Sequence, residues 1–304
     1  MTAIPFSIVD AFCIPDESFS GNQAAVCLLT FDDEIPDDVK QKIGGEINLS
    51  ETAFVARSWS ESIPRKSEYD YTLRWFTPTD EIELCGHATL ASARVLFDRM
   101  EVPVGRETTI NFETKYKGVL SATMNWETRR IGINFPLTPV TPYTEKHFSL
   151  LPKLLEYLLE PLDVSRIHSV NYVASTKYLF VRLHDENGEK GLLDLKPNFS
   201  GLSSLKGQGL PFGIIVTVKG NTDGVHFYSR FFAPNLGVAE DPVTGSAHCA
   251  LTSYWSAEFG LTKLIAKQSS KRGGHVYCEI DKSNSDRVVF QGLTTSVVKG
   301  ELLL

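Results

Sequence analysis

Short apolar runs and period-two alternation dominate this chain, with a few stretches of helical length set between them. Phe6 to Phe12 and Ala24 to Leu29 read as strands joined through a turn at Gly21-Asn22, and Pro36 then opens an amphipathic helix of about ten residues. Leu49 to Val55 returns as a strand. Tyr71 to Phe76 is another, and Thr109 to Trp126 alternates as a hairpin broken near Lys117-Gly118. Ile131 to Phe135 is the last strand before Pro136, Pro139 and Pro142, whose even spacing reads as an extended crossover rather than a helix. That crossover marks the expected boundary between two domains, 1–135 and 136–304. The second opens with a helix near Phe148 to Leu159. Strands follow around Val170 to Val173, Tyr178 to Leu183, Phe212 to Val218, Val225 to Phe232, His275 to Ile280 and Arg287 to Phe290. The tail Ser296 to Leu304 is free to pair back onto the first half.

One pattern occurs twice. Arg74-Trp75-Phe76-Thr77-Pro78 leads into Cys85-Gly86-His87-Ala88-Thr89, and Arg230-Phe231-Phe232-Ala233-Pro234 leads into Asp241-Pro242-Val243-Thr244-Gly245-Ser246. The offset is the same at both ends, since 230 − 74 and 241 − 85 are each 156. Each copy reads as an apolar strand, a proline turn and a small-residue segment opening a helix, Ala88 to Phe97 and Ser246 to Phe259. A repeat of this length implies two related halves. Their two helix starts would bring unpaired backbone N–H groups and positive dipole ends to a cleft suited to an anion.

Composition narrows the partners. A length of 304 residues suits two domains, each with its own core, and a formal charge of −7 with 42% hydrophobic residues is ordinary for a globular chain. Lys and Arg form no basic stripe, so no nucleic acid is expected as a partner. Met1 to Ser7 shows neither the positive region nor the apolar core of a signal peptide, and no run reaches the roughly 20 apolar residues of a membrane span. The expectation is a cytoplasmic protein with no membrane partner. Five cysteines, without Cys-x-x-Cys or a Cys/His cluster at zinc spacing, point away from a disulfide framework and a structural metal. Cys13, Cys27 and Cys278 lie in apolar runs and read as small core residues.

Candidate chemistry centres on Glu51. Strand alternation puts it on the face of Leu49, Ala53 and Val55, where desolvation would raise its pKa toward the range useful for general acid and base work. The alternative is an edge glutamate whose head reaches water. Gly86 and the amides of His87, Ala88 and Thr89 would be unpaired at one helix start, and Gly245, Ser246 and Ala247 repeat the arrangement, so both read as anion-binding sites. His87 reads as a general acid, a hydrogen-bond donor to substrate or merely a cap. Asp241-Pro242 either orients a partner group or forms an N-terminal turn, and Ser246 either donates to substrate or simply starts the helix. Cys85, directly before a helix, sits where a thiol pKa is lowered. A facing pair of cysteines would suggest a racemase, but the repeat puts Asp241 opposite Cys85, and Cys249 lies within the second helix as a core residue.

Ser20-Gly21-Asn22-Gln23-Ala24-Ala25-Val26, Leu49 to Phe54, Arg74 to Pro78, Cys85 to Leu90 and Glu240 to Ala247 together resemble the phenazine-biosynthesis isomerase-like (PhzF-like) family, in the family's order from residue 5 to about residue 280, with a weaker Lys271-Arg272-Gly273-Gly274 near the end. The resemblance implies an α+β fold of the diaminopimelate-epimerase type. This has two pseudo-symmetric halves, each a curled mixed sheet around a central helix, with the active site in the cleft between them. It also implies an isomerase that moves a proton without cofactor or metal, with Glu51 as acid/base and His87, Asp241 and Ser246 as its companions. Related epimerases and proline racemases carry a cysteine before each helix; this chain keeps only Cys85. That favours one carboxyl working on both sides of an allylic shift. The expected partner is a small carboxylate-bearing metabolite, with a homodimer entertained. The alternatives are a racemase or epimerase using Cys85 with Asp241, and a non-catalytic small-molecule binder or interaction protein on the same fold.

Overall fold

The computed structural model of the chain describes residues 3–57, 70–99, 107–146, 148–160, 164–220, 222, 224–281 and 283–304. The chain divides into two compact units, Met1–Asn134 with Val289–Leu304, and Phe135–Val288. The first unit therefore takes in the tail that a plain cut at residue 135 would leave with the second.

In the first unit, β1 (Ala3–Cys13) pairs antiparallel with β2 (Asn22–Leu29). Pro36 caps α1 (Asp37–Ile47), whose first turn carries Asp37 and Asp38, and Asn48 in the left-handed conformation ends it. β3 (Thr52–Arg57) lies parallel to β2 and antiparallel to β4 (Asp70–Phe76), which also carries the two-residue β5 (Glu81–Ile82). α2 (Gly86–Arg99) is the crossover to β6 (Glu107–Thr114), parallel to β4 as a helical crossover requires. β7 (Gly118–Asn125) and β8 (Arg130–Pro136) complete an antiparallel meander. The long strand β16 (Arg287–Leu303) runs beside both β8 and β1, so the strand order of this unit returns on itself.

α2 is buried from His87 through Ala93 and again at Val95, Leu96 and Phe97. Ala88, Ala91, Ser92 and Ala93 keep it slim enough for strands to approach it closely. α1 covers another face, where Ile35 and Ile43 pack with Ile4, Cys27, Leu29, Phe54 and Phe76.

In the second unit, β9 (Thr141–Pro142), β10 (Ile167–Val173), β11 (Tyr178–Leu183), β12 (Gly213–Lys219), β13 (Phe227–Phe232), β14 (Lys263–Gln268) and β15 (Gly274–Ile280) are neighbours in that order. From β10 to β15 the pairings run antiparallel, parallel, antiparallel, parallel, antiparallel. The series β1, β2, β3, β4, β6, β7 pairs in the same succession. α6 (Gly245–Phe259) bridges the parallel strands β13 and β14 and buries Ala247–Thr252, Trp255 and Ser256. The amphipathic α3 (Leu151–Leu159) and the short α4 (Gly188–Leu193) and α5 (Phe199–Ser204) supply Leu154, Leu158, Leu192 and Leu202 to a core with Val181, Ile214 and Phe232. Among the described residues, no helix is long and apolar enough to cross a membrane.

Candidate functional site

Strand directions decide which ends meet. In the first unit β2 and β3 run parallel, with Ala25 opposite Thr52, and β4 runs back to put Phe76 beside Thr52. The start of β2, the start of β3 and the chain leaving β4 toward α2 thus share one end of the sheet. Asn22 opens β2, Ser50 and Glu51 lead into β3, and Cys85 and His87 straddle the start of α2. The Glu51 carbonyl accepts the Ala25 N–H at 3.1 Å, which fixes its backbone against β2.

Four side chains surround the His87 ring. Nε2 lies 3.1 Å from Glu51 Oε2 and 3.5 Å from Ser50 Oγ, and Nδ1 lies 3.3 Å from Asn22 Nδ2 and 3.4 Å from Cys85 Sγ. Glu51 Oε2 is within ion-pair distance of the ring, and its side chain keeps 15% of its surface open. Burial pushes the Glu51 carboxyl up, but the His87 charge, with hydrogen bonds from His87, Ser50 and Cys85, outweighs it and the net shift is downward. His87 is pushed down by burial and up more strongly by Cys85 and Glu51, so it stands well above its ordinary value. Together the two shifts favour the carboxylate–imidazolium form of the pair.

This corrects the expectations for Glu51. Glu51 precedes β3 rather than lying within it, and residues 52–56 of β3 are buried on both faces, so alternation does not sort its sides. Its pKa is lowered, not raised, because the buried partner is a cation. Cys85 is also reversed: burial and the Glu51 charge push its thiol up, and they outweigh His87 and the Ala88 N–H beside the sulfur. The α2 start differs as well. Thr89 N–H already donates to the Cys85 carbonyl at 3.2 Å, and its hydroxyl donates there at 2.6 Å, so Thr89 offers no amide to an anion.

In the second unit, Thr244 precedes Gly245, and the first helical bond runs from His248 N–H to the Thr244 carbonyl at 3.2 Å. The amides of Gly245, Ser246 and Ala247 thus come before the helical ladder begins. Asp241 accepts a hydrogen bond from the Thr244 hydroxyl, and its own N–H donates to the Phe231 carbonyl at 3.0 Å. Gln268, at the end of β14, ties the turn: its amide donates to the Asp241 carbonyl at 2.7 Å and accepts from Thr244 N–H at 2.9 Å. Ser246 is exposed, with Tyr178 Oη 3.0 Å from its Oγ. His248 is fully buried, its Nδ1 2.8 Å from the Thr244 carbonyl, and burial lowers its pKa to about 4, which keeps it neutral and structural.

The repeated arginines hold these turns. Arg74 pairs bidentately with Asp37 at 2.6 and 2.7 Å and with Glu81 at 2.8 and 3.0 Å, and lies 5.3 Å from the Phe76 ring centre. Arg230 pairs with Glu240 at 2.7 and 2.8 Å, caps the carbonyls of Leu192 and Leu195, and lies 4.9 Å from the Phe232 ring. In each unit the arginine fastens the acidic stretch between the strand and the helix start, a task that a planar fork does and a lysine does not.

Sequence reasoning passed over Asn22, Tyr178 and Gln268. Asn22 was visible as a turn residue and within the Ser20-to-Val26 motif but carried no role there, Tyr178 was visible as a strand start, and Gln268 lies in β14, a strand that the pattern of apolar residues did not reveal. Among the described residues, the atoms of Glu51, Cys85 and His87 that could ligate a metal lie within 4.8 Å of one another. A cation there would have to displace the His87 and Cys85 protons.

Two units of mixed sheet, the first with a carboxyl and an imidazole in ion-pair contact at a helix start, make this a mixed α/β protein. The family model described as phenazine biosynthesis-like protein matches residues 9–300, and the chain belongs to that family. It is 39% identical over 303 residues to a phenazine biosynthesis-like domain-containing protein of Bos taurus, covering 98% of this chain and 99% of the relative. It is 38% identical to an uncharacterized isomerase of Halalkalibacterium halodurans, with all of both chains covered. The crystal structure of a PhzF-family phenazine biosynthesis protein from Enterococcus faecalis matches with a TM-score of 0.79 at 37% identity, again over the whole of both chains.

Proposed function

We propose that the protein is a cofactor-independent isomerase that moves a proton between carbons of a small carboxylate, with Glu51 as the single acid/base. The observation that carries this reading is the Glu51 carboxyl itself: largely buried and 3.1 Å from the His87 ring, in surroundings that favour its charged form. A buried carboxylate left in this state fits a base whose proton comes from a ligand. Glu51 removes a proton from a carbon made acidic by neighbouring unsaturation and returns it to a different carbon. The His87 charge beside it stabilises the delocalised anion between the two steps, and dipoles fixed in advance at the helix start do the same. The halves are read as related copies, as the repeat and the matching succession of strand pairings suggest. In the second copy Asp241 and Ser246 are the companions that the family resemblance implies, with Gly245, Ser246 and Ala247 offering amides to an anion; Gly86 is the counterpart in the first. Relatives named as isomerases support the reaction class.

A racemase working through Cys85 would need its thiolate, and both burial and Glu51 oppose that ionisation. The test is solvent deuterium incorporation across a panel of small unsaturated carboxylates, comparing wild type with Glu51→Gln. The proposal expects exchange at carbon in the wild type and none in the variant. Exchange that survives Glu51→Gln removes Glu51 as the base.

A further inference from the structure

Asn22 opens β2 and Tyr178 opens β11, and 178 − 22 is 156, the same offset that separates Arg74 from Arg230. Each reaches one residue of its own unit, and that residue holds the second place in the helix. Asn22 Nδ2 is 3.3 Å from His87 Nδ1, and Tyr178 Oη is 3.0 Å from Ser246 Oγ. We propose that Asn22 and Tyr178 are a matched pair of positioning residues, each setting the hydrogen-bonding state of the polar side chain that its helix start presents to substrate. The proposal rests on the reading of His87 and Ser246 as substrate-facing groups.

For Asn22 the argument is one of donors and acceptors. The Nε2 side of the ring faces Glu51 and Ser50, and the Nδ1 side faces Asn22 and Cys85. A neutral ring presents a lone pair at Nδ1, which the Asn22 amide N–H satisfies. An imidazolium presents N–H there, and the same amide satisfies it by turning its oxygen inward. A carboxamide thus serves both protonation states without adding a charge. An aspartate would lock the ring as imidazolium, and an apolar residue would leave it only the thiol. The approach of Asn22 is set by its neighbour: Gly21 has φ +82°, and a Cβ there would stand 2.4 Å from the Ala11 carbonyl oxygen. No other residue fits that turn without moving Asn22.

For Tyr178 the contact is held by packing, its ring edge-on to Phe231 with centres 5.0 Å apart. Burial and the nearby Asp241 charge keep its hydroxyl protonated, against the pull of the Ser246 hydrogen bond. A neutral O–H fixed beside Ser246 Oγ orients the serine hydroxyl without competing for a substrate anion.

The test uses the full chain labelled with 15N-histidine and 13C-tyrosine, and needs no substrate. The His87 ring titration is followed by NMR in wild type, Asn22→Asp and Asn22→Leu, with Glu51, Cys85 and Ser50 unchanged around it. Asn22→Asp is expected to raise the midpoint by roughly one pH unit, tenfold in proton affinity, and Asn22→Leu to lower it. In the second unit, Ser246→Ala is expected to move the Tyr178 titration upward, because the bond that favours its ionised form is lost. Should Asn22→Leu fail to fold, Asn22→Asp and Asn22→Ser decide the question. An unmoved His87 midpoint in folded variants, or an unmoved Tyr178 midpoint, overturns the pairing. Because neither readout depends on turnover, failure of the isomerase reading shows separately, as deuterium exchange that survives Glu51→Gln.

Discussion

Glu51→Gln does more than remove a base, because it also takes away the negative charge 3.1 Å from His87 Nε2. With that charge gone, burial acts on the imidazolium with one of its two counterweights removed, the Cys85 side chain being the other. An opposite charge at this range favours the charged form of its neighbour, so the His87 midpoint should fall from its raised position. Each unit by which the midpoint moves corresponds to about 1.36 kcal/mol of linkage to folding, so the movement read by NMR gives the stability the pair contributes. The sign follows from the two directions. His87 is raised in the folded state, so its contribution is complete below 6.5 and disappears as pH rises through the higher folded value. Glu51 is lowered, so its contribution is complete above 4.5 and disappears as pH falls through the lower folded value. The cost of Glu51→Gln should therefore be largest between pH 4.5 and 6.5 and shrink on both sides. Urea unfolding of wild type and variant across that range measures the cost, and histidine NMR measures the midpoint. A variant whose His87 titrates at or above the wild-type midpoint would refute the reasoning, since the carboxylate would then not be what keeps the ring charged.

Turnover should hold a plateau from below pH 4.5, where Glu51 remains ionised, to above pH 6.5, where His87 remains charged; a pH–rate profile on the substrate found by deuterium exchange checks this. Cys85→Ser should keep most of the turnover, because the thiol is neutral and its place beside Nδ1 can be filled by a hydroxyl; complete loss in a folded protein would favour the racemase. Gly21→Ala should cost at least about 1–2 kcal/mol from backbone strain alone, seen as a lower melting temperature, and should also disturb the His87 resonance through Asn22.

Where periodicity was clean the elements were legible: Tyr178 to Leu183 is a strand from end to end, and Pro36 does cap a helix. Glu51 was legible as an unusual carboxyl but not in its charge state. Its shift depends on His87, 36 residues further along the chain, and no local pattern brings the two together. β14 was hidden because Lys263-Leu264-Ile265-Ala266-Lys267-Gln268 alternates only weakly, with a buried glutamine closing it. β16 reads as two pieces because Gly292 and Ser296 interrupt its apolar run, yet backbone pairing carries it through. The arginine clamps were visible as a repeat, but their acidic partners sit at different spacings, seven residues from Arg74 to Glu81 and ten from Arg230 to Glu240, and only the folded turns show the common task.

The pairing of β16 with β1 sets Ala3 against Leu303 and Cys13 against Leu293. On a ribosome adding about 5–20 residues per second, β1 would wait on the order of 15–60 s for its partner. During that interval one side of β1 is an unpaired strand edge, the kind of surface that recruits other chains. The unit bearing Glu51 is thus completed late although its residues emerge early, and its assembly carries the slow, long-range closure typical of high contact order. Stopping the chain before Leu293 would leave that edge open permanently, so the shortened product should aggregate, even though every residue of the Glu51 cluster would be present.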